Sequence, residues 1–516
     1  MKVADLLSRA AAAYPDRTAA IHHDRRITFA ELYAAASRLS ERLRRLDFEP
    51  GSRVAILFEN SIEYIIAFFA SLGSGLITVP LDTSLSPENL NFILADCDAR
   101  VLMVQGRYRR HLAAILGDNP NLRLLISDKP LSEVAGGVPV ELMKDLLGAE
   151  VGVPDPRQAA AQAETTESPH ELAAVFYTSG STGSPKGVML SHLNLVSNTL
   201  ATVEYLRLKP GDSVMTILPF YYIYGNSLLL THVACGGTVV IDNRFMYPEV
   251  VLDEMEKQQV SGLSGVPSTF MILLNNSTFA KRSFPHLRYF TQAGGAMAPE
   301  VIRRLMEAFP TKEVWIMYGQ TEASPRVTYL PPERLSEKLG SIGIAVPGVK
   351  IRIVDDQMRE MPVGETGEIA VGGPNVMLGY WNQPGETAEV IRDGWLITGD
   401  LARRDGDGYI YVTGRKREII KAGGHRVSAK EIEERILEYE KVAEAAVFGV
   451  PDEVFGEAIK AVVVLKEGLH ATGKEIQGWC QQHLAQFKVP KLVEFLDALP
   501  KYQSGKVNKL ELKSRA

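Results

Sequence analysis

Ten consecutive residues, T-S-G-S-T-G-S-P-K-G from Thr178 to Gly187, gather the residue types that bind phosphate. Glycines let backbone amides approach phosphate oxygens, the hydroxyls of Thr178, Ser179, Ser181 and Thr182 donate hydrogen bonds, and Lys186 supplies a mobile cation. An ordinary surface loop could share that composition. The apolar run Ala173-Ala174-Val175-Phe176-Tyr177 leading into it argues for a site, because it reads as a buried strand emptying into the loop. A Walker phosphate loop needs glycine directly before the lysine, and here Pro185 stands there, so spacing excludes it.

The stretch closely resembles the phosphate-binding signature of the adenylate-forming (AMP-binding) superfamily. That superfamily takes in acyl-CoA synthetases, aryl-CoA ligases, luciferases and peptide-synthetase adenylation domains. Further signatures follow in the family's order along essentially the whole chain. Tyr318-Gly319-Gln320-Thr321-Glu322 is similar to its Y-G-x-T-E element, Thr398-Gly399-Asp400 to its T-G-D, and Leu499 to Val507 to its P-x-x-x-x-G-K. The resemblance implies that Gly180 and its neighbours hold the ATP phosphates with Lys186, and that Gly294-Gly295-Ala296 lies against adenine. Tyr318 would stack on the base beside Gly319 and Gln320, and Thr321 would bond the α-phosphate. Asp400 would accept both ribose hydroxyls, as a carboxylate can. Arg415 would approach from the other side, Lys421 would join the nucleotide contacts, and Lys506 would bridge the carboxylate and α-phosphate. Glu322, with Thr178, is the expected Mg2+ ligand, since hard cations prefer oxygen donors.

The chemistry this implies is adenylation of a carboxylate followed by transfer to a thiol. A carboxylate is already ionised at neutral pH and needs no general base to attack phosphorus. The barrier is repulsion between anions and charge building on phosphate oxygens, which placed cations and donors address. Catalysis is therefore expected from Lys186, Lys506, Thr178 and Glu322. For the second half-reaction the resemblance implies a lid rotating about Arg417, with Gly423, Gly424 and Arg426 lining a thiol tunnel. Coenzyme A is the expected acceptor. A phosphopantetheine arm on an acyl carrier protein is the alternative, and an adenylate-binding sensor or scaffold the non-enzymatic one.

The acyl pocket is expected around Tyr222, Ile223, Val266, Met271, Met297 and Met317. Amino-acid-activating relatives place an aspartate early in this region to pair the substrate ammonium. Here no acidic residue lies between Asp212 and Asp242, so the resemblance disfavours an α-amino acid. Hydroxybenzoate-activating relatives place asparagine where Ile223 stands, and many coumarate-type ligases place histidine where Tyr222 stands. What remains is apolar, which points to a small-molecule aliphatic acid of medium or long chain.

Positioning such a site takes a large α/β scaffold. At 516 residues, two to four domains are expected. Strand-like runs at Val54–Phe58, Leu76–Val79, Val101–Val104 and Leu124–Ile126 alternate with helices. Thr28 with Glu31 caps one helix to Leu46, and Ser86-Pro87-Glu88 opens another. From Val349 short strands and turns suggest an antiparallel or barrel-like subdomain. Val153 to Pro169 reads as a surface connection. Ser428 and Glu431 form a second capping box, for a helix through Tyr439. The expected division is a large domain of βαβ-type parallel sheets over residues 1–416 and a small mobile α+β lid over 417–516.

A net charge of -6 gives no reason to expect nucleic acid or a membrane surface. The apolar stretch Tyr64 to Leu81 is interrupted by Ser71, Gly73, Ser74 and Gly75, unlike a membrane span. Three scattered cysteines, Cys97, Cys235 and Cys480, read as small buried hydrophobes in a reducing compartment. With no apolar leader after Met1, the cytoplasm is the expected location.

Overall fold

The computed structural model describes residues 1–117, 119–131, 137–148, 152–162, 170–179, 185–422, 425–452, 456–501 and 507–515. Two mixed sheets dominate the N-terminal part. One has eight strands, and Leu172–Ser179, Ile77–Pro80, Arg53–Leu57, Ala99–Val104, Leu124–Ser127 and Val140–Leu142 run parallel through it. The other has nine, with a parallel run from Glu313–Tyr318 through Tyr289–Gln292, Gly262–Gly265, Ser213–Thr216 and Thr238–Ile241 to Thr18–His22. Burial on both faces explains why strands such as Arg53–Leu57, Ala99–Val104 and Thr238–Ile241 are largely apolar.

The helix-start signals act as read. Thr28 Oγ1 accepts from Glu31 N and Glu31 Oε2 accepts from Thr28 N, closing the box on the helix Phe29–Arg44. That helix buries Phe29, Leu32, Ala36, Leu39 and Leu43, one stripe at helical spacing. Ser86 caps Pro87–Asp96. Ser428 caps Ala429–Leu437, but its box is only half made. Glu431 pairs with Lys488 instead of reaching back to the cap backbone. The stretch read as a bare surface connection contains the helix Pro156–Gln162, opened by Asp155 accepting from Arg157 N. None of its residues is buried, so no apolar periodicity announced it.

From Lys350 an antiparallel five-stranded sheet begins, built from Lys350–Val354, Gly367–Gly372, Ile391–Arg392, Trp395–Arg404 and Ile410–Arg415. A last sheet carries His425–Ser428, Ile419–Ala422, Gly456–Leu465, Val442–Asp452 and Leu492–Phe495, covered by Ala429–Leu437 and Gly473–His483. His425 stacks on Phe487 at 4.1 Å, a packing role. All three cysteines are buried and unbridged, and burial pushes Cys97 and Cys235 up to about 12. Among the described residues no helix is long and apolar enough to cross a membrane.

Two histidines are buried in neutral form. His192 Nδ1 accepts from Val3 N at 3.1 Å, and His232 sits between Leu228 O and Tyr289 Oη. Burial lowers each to about 4, against about 6.5 in an unfolded chain. The unfolded form alone gains these protons, so stability present above pH ~6.5 is lost as pH falls toward ~4. Melting temperature should therefore drop steadily from pH 7 to 5. A His192→Gln/His232→Gln double variant should show a shallower slope, and an unchanged slope would refute the assignment.

Candidate active site

The strands Leu172–Ser179 and Pro185–Ser191 form an antiparallel hairpin that sets Thr178 opposite Lys186. Gly187 is required by packing, since a Cβ there would lie 2.7 Å from Val175 Cγ1 and 3.0 Å from Trp381 Cβ. Lys186 is buried and its ammonium pairs with Glu386, in the first turn of Pro384–Val390. The same ammonium lies 5.7 Å from the Tyr380 ring centre. Tyr380 Oη donates to Glu322 Oε1 at 2.9 Å, and burial, then the Glu322 charge, pushes the phenol's pKa up. One aromatic ring thus separates the phosphate-loop lysine from the candidate metal carboxylate.

Glu322 is held where the strand Glu313–Tyr318 ends. Its carbonyl accepts from Met377 N, Ala323 O accepts from Asn375 Nδ2, and Ser324 Oγ donates to Asn375 O. The chain then doubles back so tightly that a Cβ on Gly319 would fall 1.5 Å from Pro325 O. Among the described residues no group of three or more His, Cys, Asp or Glu could hold a metal. A single carboxylate still fits magnesium delivered with a nucleotide, since that ion is commonly held by one or two carboxylates plus phosphate oxygens.

Asp400 is buried, and both its oxygens are engaged: Tyr318 Oη donates to Oδ2 at 2.6 Å and Arg415 Nε to Oδ1 at 2.8 Å. Burial and then Asp400 hold the Tyr318 phenol well above its ordinary pKa. Each carboxylate oxygen keeps a second lone pair, so ribose hydroxyls could add to this arrangement. The turn is fixed by Glu368, which accepts from Gly399 N at 3.0 Å and pairs with Lys416 at 2.9 Å. Gly294 adopts φ +85°, and Gln292 Nε2 donates to Gly295 O, making the small-residue turn ahead of Ala296.

The expected acyl residues are partly gathered. A Cβ on Gly294 would meet Val266 Cγ1 at 3.1 Å and Tyr224 Cδ1 at 4.0 Å. Ile223 and Met317 share the main apolar cluster, and Met317 Sδ accepts from Tyr205 Oη. Met297 belongs to another cluster, with Phe270 and Phe290, while Met271 is half-buried on Pro267–Asn276. Tyr222 Oη donates to Asp82 Oδ2 at 2.9 Å. Asn60 fixes the segment by bonding Leu218 O and Phe220 N, and Tyr64 Oη donates to Phe220 O. Gly180, Ser181, Thr182, Gly423, Gly424 and Lys506 lie outside the described residues, as do the side chains of Ser179, Lys421 and Arg426.

Sequence reasoning missed Tyr380, Glu386 and Asp82. Proline followed by an acid in Gln383-Pro384-Gly385-Glu386 marks a helix start, but nothing local names Lys186 as the partner. If Lys186 binds the ATP phosphates as expected, Glu386 would compete with them for its ammonium. Glu386→Gln should lower the KM for ATP up to about fivefold, the scale of a partly exposed ion pair. A raised KM would show that Glu386 assists binding instead.

Residues 7–381 match the AMP-binding enzyme family, and residues 431–506 match the AMP-binding enzyme C-terminal domain. The chain belongs to this family. Feruloyl-CoA synthase of an Amycolatopsis species is 34% identical over 97% of this chain and 96% of its own. The long-chain-fatty-acid–CoA ligase of Yersinia pestis is 33% identical over 99% and 93%. The crystal structure of ATP-bound MatB from Rhodopseudomonas palustris superposes with a TM-score of 0.87 at 31% identity, over 100% of this chain and 99% of that one. At the level such relatives share, the protein is an acid–thiol ligase of the acyl- or aryl-CoA type.

Proposed function

We propose that this family member joins a medium- or long-chain aliphatic acid to coenzyme A through an acyl-adenylate, releasing pyrophosphate and then AMP. The observation that carries the reading is the approach of Lys186 to the ring of Tyr380 and of Glu322 to its hydroxyl. Phosphate cation and metal carboxylate come from segments far apart in sequence, and a folding requirement alone does not ask for that meeting.

ATP phosphates would displace Glu386 and take the Lys186 ammonium, with Thr178 beside it on the paired strand. Tyr318, Asp400 and Arg415 would hold adenine and ribose. Glu322 would hold magnesium, whose positive charge offsets that on the phosphate oxygens. An acid carboxylate oxygen attacks the α-phosphorus and pyrophosphate leaves. Lys506 would stabilise the charge shared between them. Thiolate sulfur then attacks the acyl carbonyl and AMP departs.

Residues 417–516 would move as a lid about Arg417 to exchange Lys506 for the Gly423-Gly424 and Arg426 surface. Ile223, Val266 and Met317 support an apolar acyl body, and the absence of an acidic residue between Asp212 and Asp242 in the sequence fits a non-amino acid. Coenzyme A is the favoured acceptor, with a carrier-protein phosphopantetheine as the competing one.

The test is ATP–pyrophosphate exchange across a panel of aliphatic, aryl and amino acids, then product formation with CoA and separately with a phosphopantetheinylated carrier. Aliphatic acids and CoA should lead. No exchange with any acid would contradict the ligase reading and favour an adenylate-binding protein.

A further inference from the structure

Arg326 is 1% exposed, and its Nε, Nη1 and Nη2 make no hydrogen bond among the described residues. No carboxylate among those residues forms an ion pair with it either. Its backbone is firmly placed. Arg326 N donates to Asn198 Oδ1 at 3.1 Å, and Arg326 O accepts from Asn198 Nδ2 at 2.7 Å and from Asn375 Nδ2 at 3.4 Å. The guanidinium carbon lies 4.2 Å from the centre of the Tyr224 ring, its one strong polar contact.

Isolated burial of a guanidinium is unfavourable, because neither water nor a counter-charge replaces its hydration. The Tyr224 contact replaces only part of that hydration, so a ligand anion is the natural complement. The position says which ligand. Arg326 follows Pro325, the residue pressed against Gly319, and Val327 N donates to Tyr318 O at 2.9 Å. Its aromatic partner Tyr224 borders the Gly294 turn and, through Oη, Thr291 O. Tyr224 therefore touches both the cation and the turn expected to hold the adenylate.

We infer that Arg326 is a specificity-determining residue at the far end of the acyl site, and that the preferred acid carries a second carboxylate beyond an apolar chain. This rests on the ligase reading above. A guanidinium fork matches a carboxylate bidentately, whereas a terminal methyl group would leave the charge unpaired. The acid's first carboxylate reacts at phosphorus, and its second stays ionised against Arg326.

The test compares kcat/KM in pyrophosphate exchange for two matched ladders of chain length, methyl-terminated monoacids and α,ω-diacids, with ω-oxo acids as a neutral-acceptor arm. Wild-type enzyme should prefer the diacid of best length by roughly 100-fold or more, the scale on which a site built to bond a polar group rejects an analogue lacking it. Arg326→Met should reverse that preference while raising the apo melting temperature, since an unpaired buried charge is removed. Arg326→Lys should keep a reduced diacid preference. A merely structural Arg326 would instead lower melting temperature on substitution and reduce activity on both ladders alike, which overturns the inference. Exchange with no preference between ladders, or a preference for ω-oxo acids or monoacids in the wild type, also overturns it while sparing the ligase reading. No exchange with any acid overturns both.

Discussion

Lys506→Ala should lower ATP–pyrophosphate exchange by at least roughly 10²–10³-fold, the usual effect of losing one donor aimed at developing charge. Transfer of a preformed acyl-adenylate to the thiol should change by no more than about threefold, within the scatter of a surface substitution. The asymmetry follows from the chemistry. Negative charge gathers between carboxylate and α-phosphate only while the adenylate forms. During thioesterification the acyl carbonyl is attacked and AMP is already a stable leaving group, so that lysine has no equivalent task. If both half-reactions fell equally, Lys506 would be a shared binding group and a lid turning about Arg417 would lose its main support.

Glu322→Gln should be the next most damaging change, with kcat for adenylation down by roughly 10²–10³-fold, as expected if several kcal/mol of charge stabilisation is withdrawn. The substitution keeps an oxygen for Tyr380 Oη, which now donates at 2.9 Å, so the local fold should persist. What disappears is the anionic oxygen needed for a hard cation. The loss should be partly recovered at raised magnesium if Glu322 binds the ion. A melting temperature well below wild type, with no magnesium rescue, would assign Glu322 to holding the Met377–Tyr380 segment instead.

Much of the local structure is legible in the sequence. Thr28 with Glu31 and Ser86 with Pro87 marked helix starts that the structure keeps, because caps depend on neighbours three residues away. The apolar run Trp315-Ile316-Met317 reads as a buried strand with Glu322 beyond its C-terminal end, and Glu313–Tyr318 stops just before it. Asp400 and Arg415 fall on adjacent strands, a pairing that the sequence reading did not include.

What the sequence hid is long-range pairing. Lys186 meets Glu386 because Gly379–Tyr380, just ahead of the helix that carries Glu386, pairs with Pro185–Ser191. Tyr222 meets Asp82 between segments that follow strands of two different sheets, and no local pattern encodes either meeting. The exposed helix Pro156–Gln162 was invisible for the opposite reason, since it has no buried face to impose a period. No local pattern in the sequence marks Arg326. Its meaning lies in full burial beside Tyr224, which composition cannot convey.

The central claim is that a mixed anhydride with AMP stands between acid and thioester. It is tested most directly by supplying the acid with both carboxylate oxygens labelled as oxygen-18, together with ATP, magnesium and CoA, and weighing the products. Attack of the carboxylate on the α-phosphorus, followed by cleavage at the acyl carbon, leaves one labelled oxygen in AMP and one in the thioester. That is the expected result. Label in inorganic phosphate, with ADP as the nucleotide product, would place the attack on the terminal phosphorus and contradict the account.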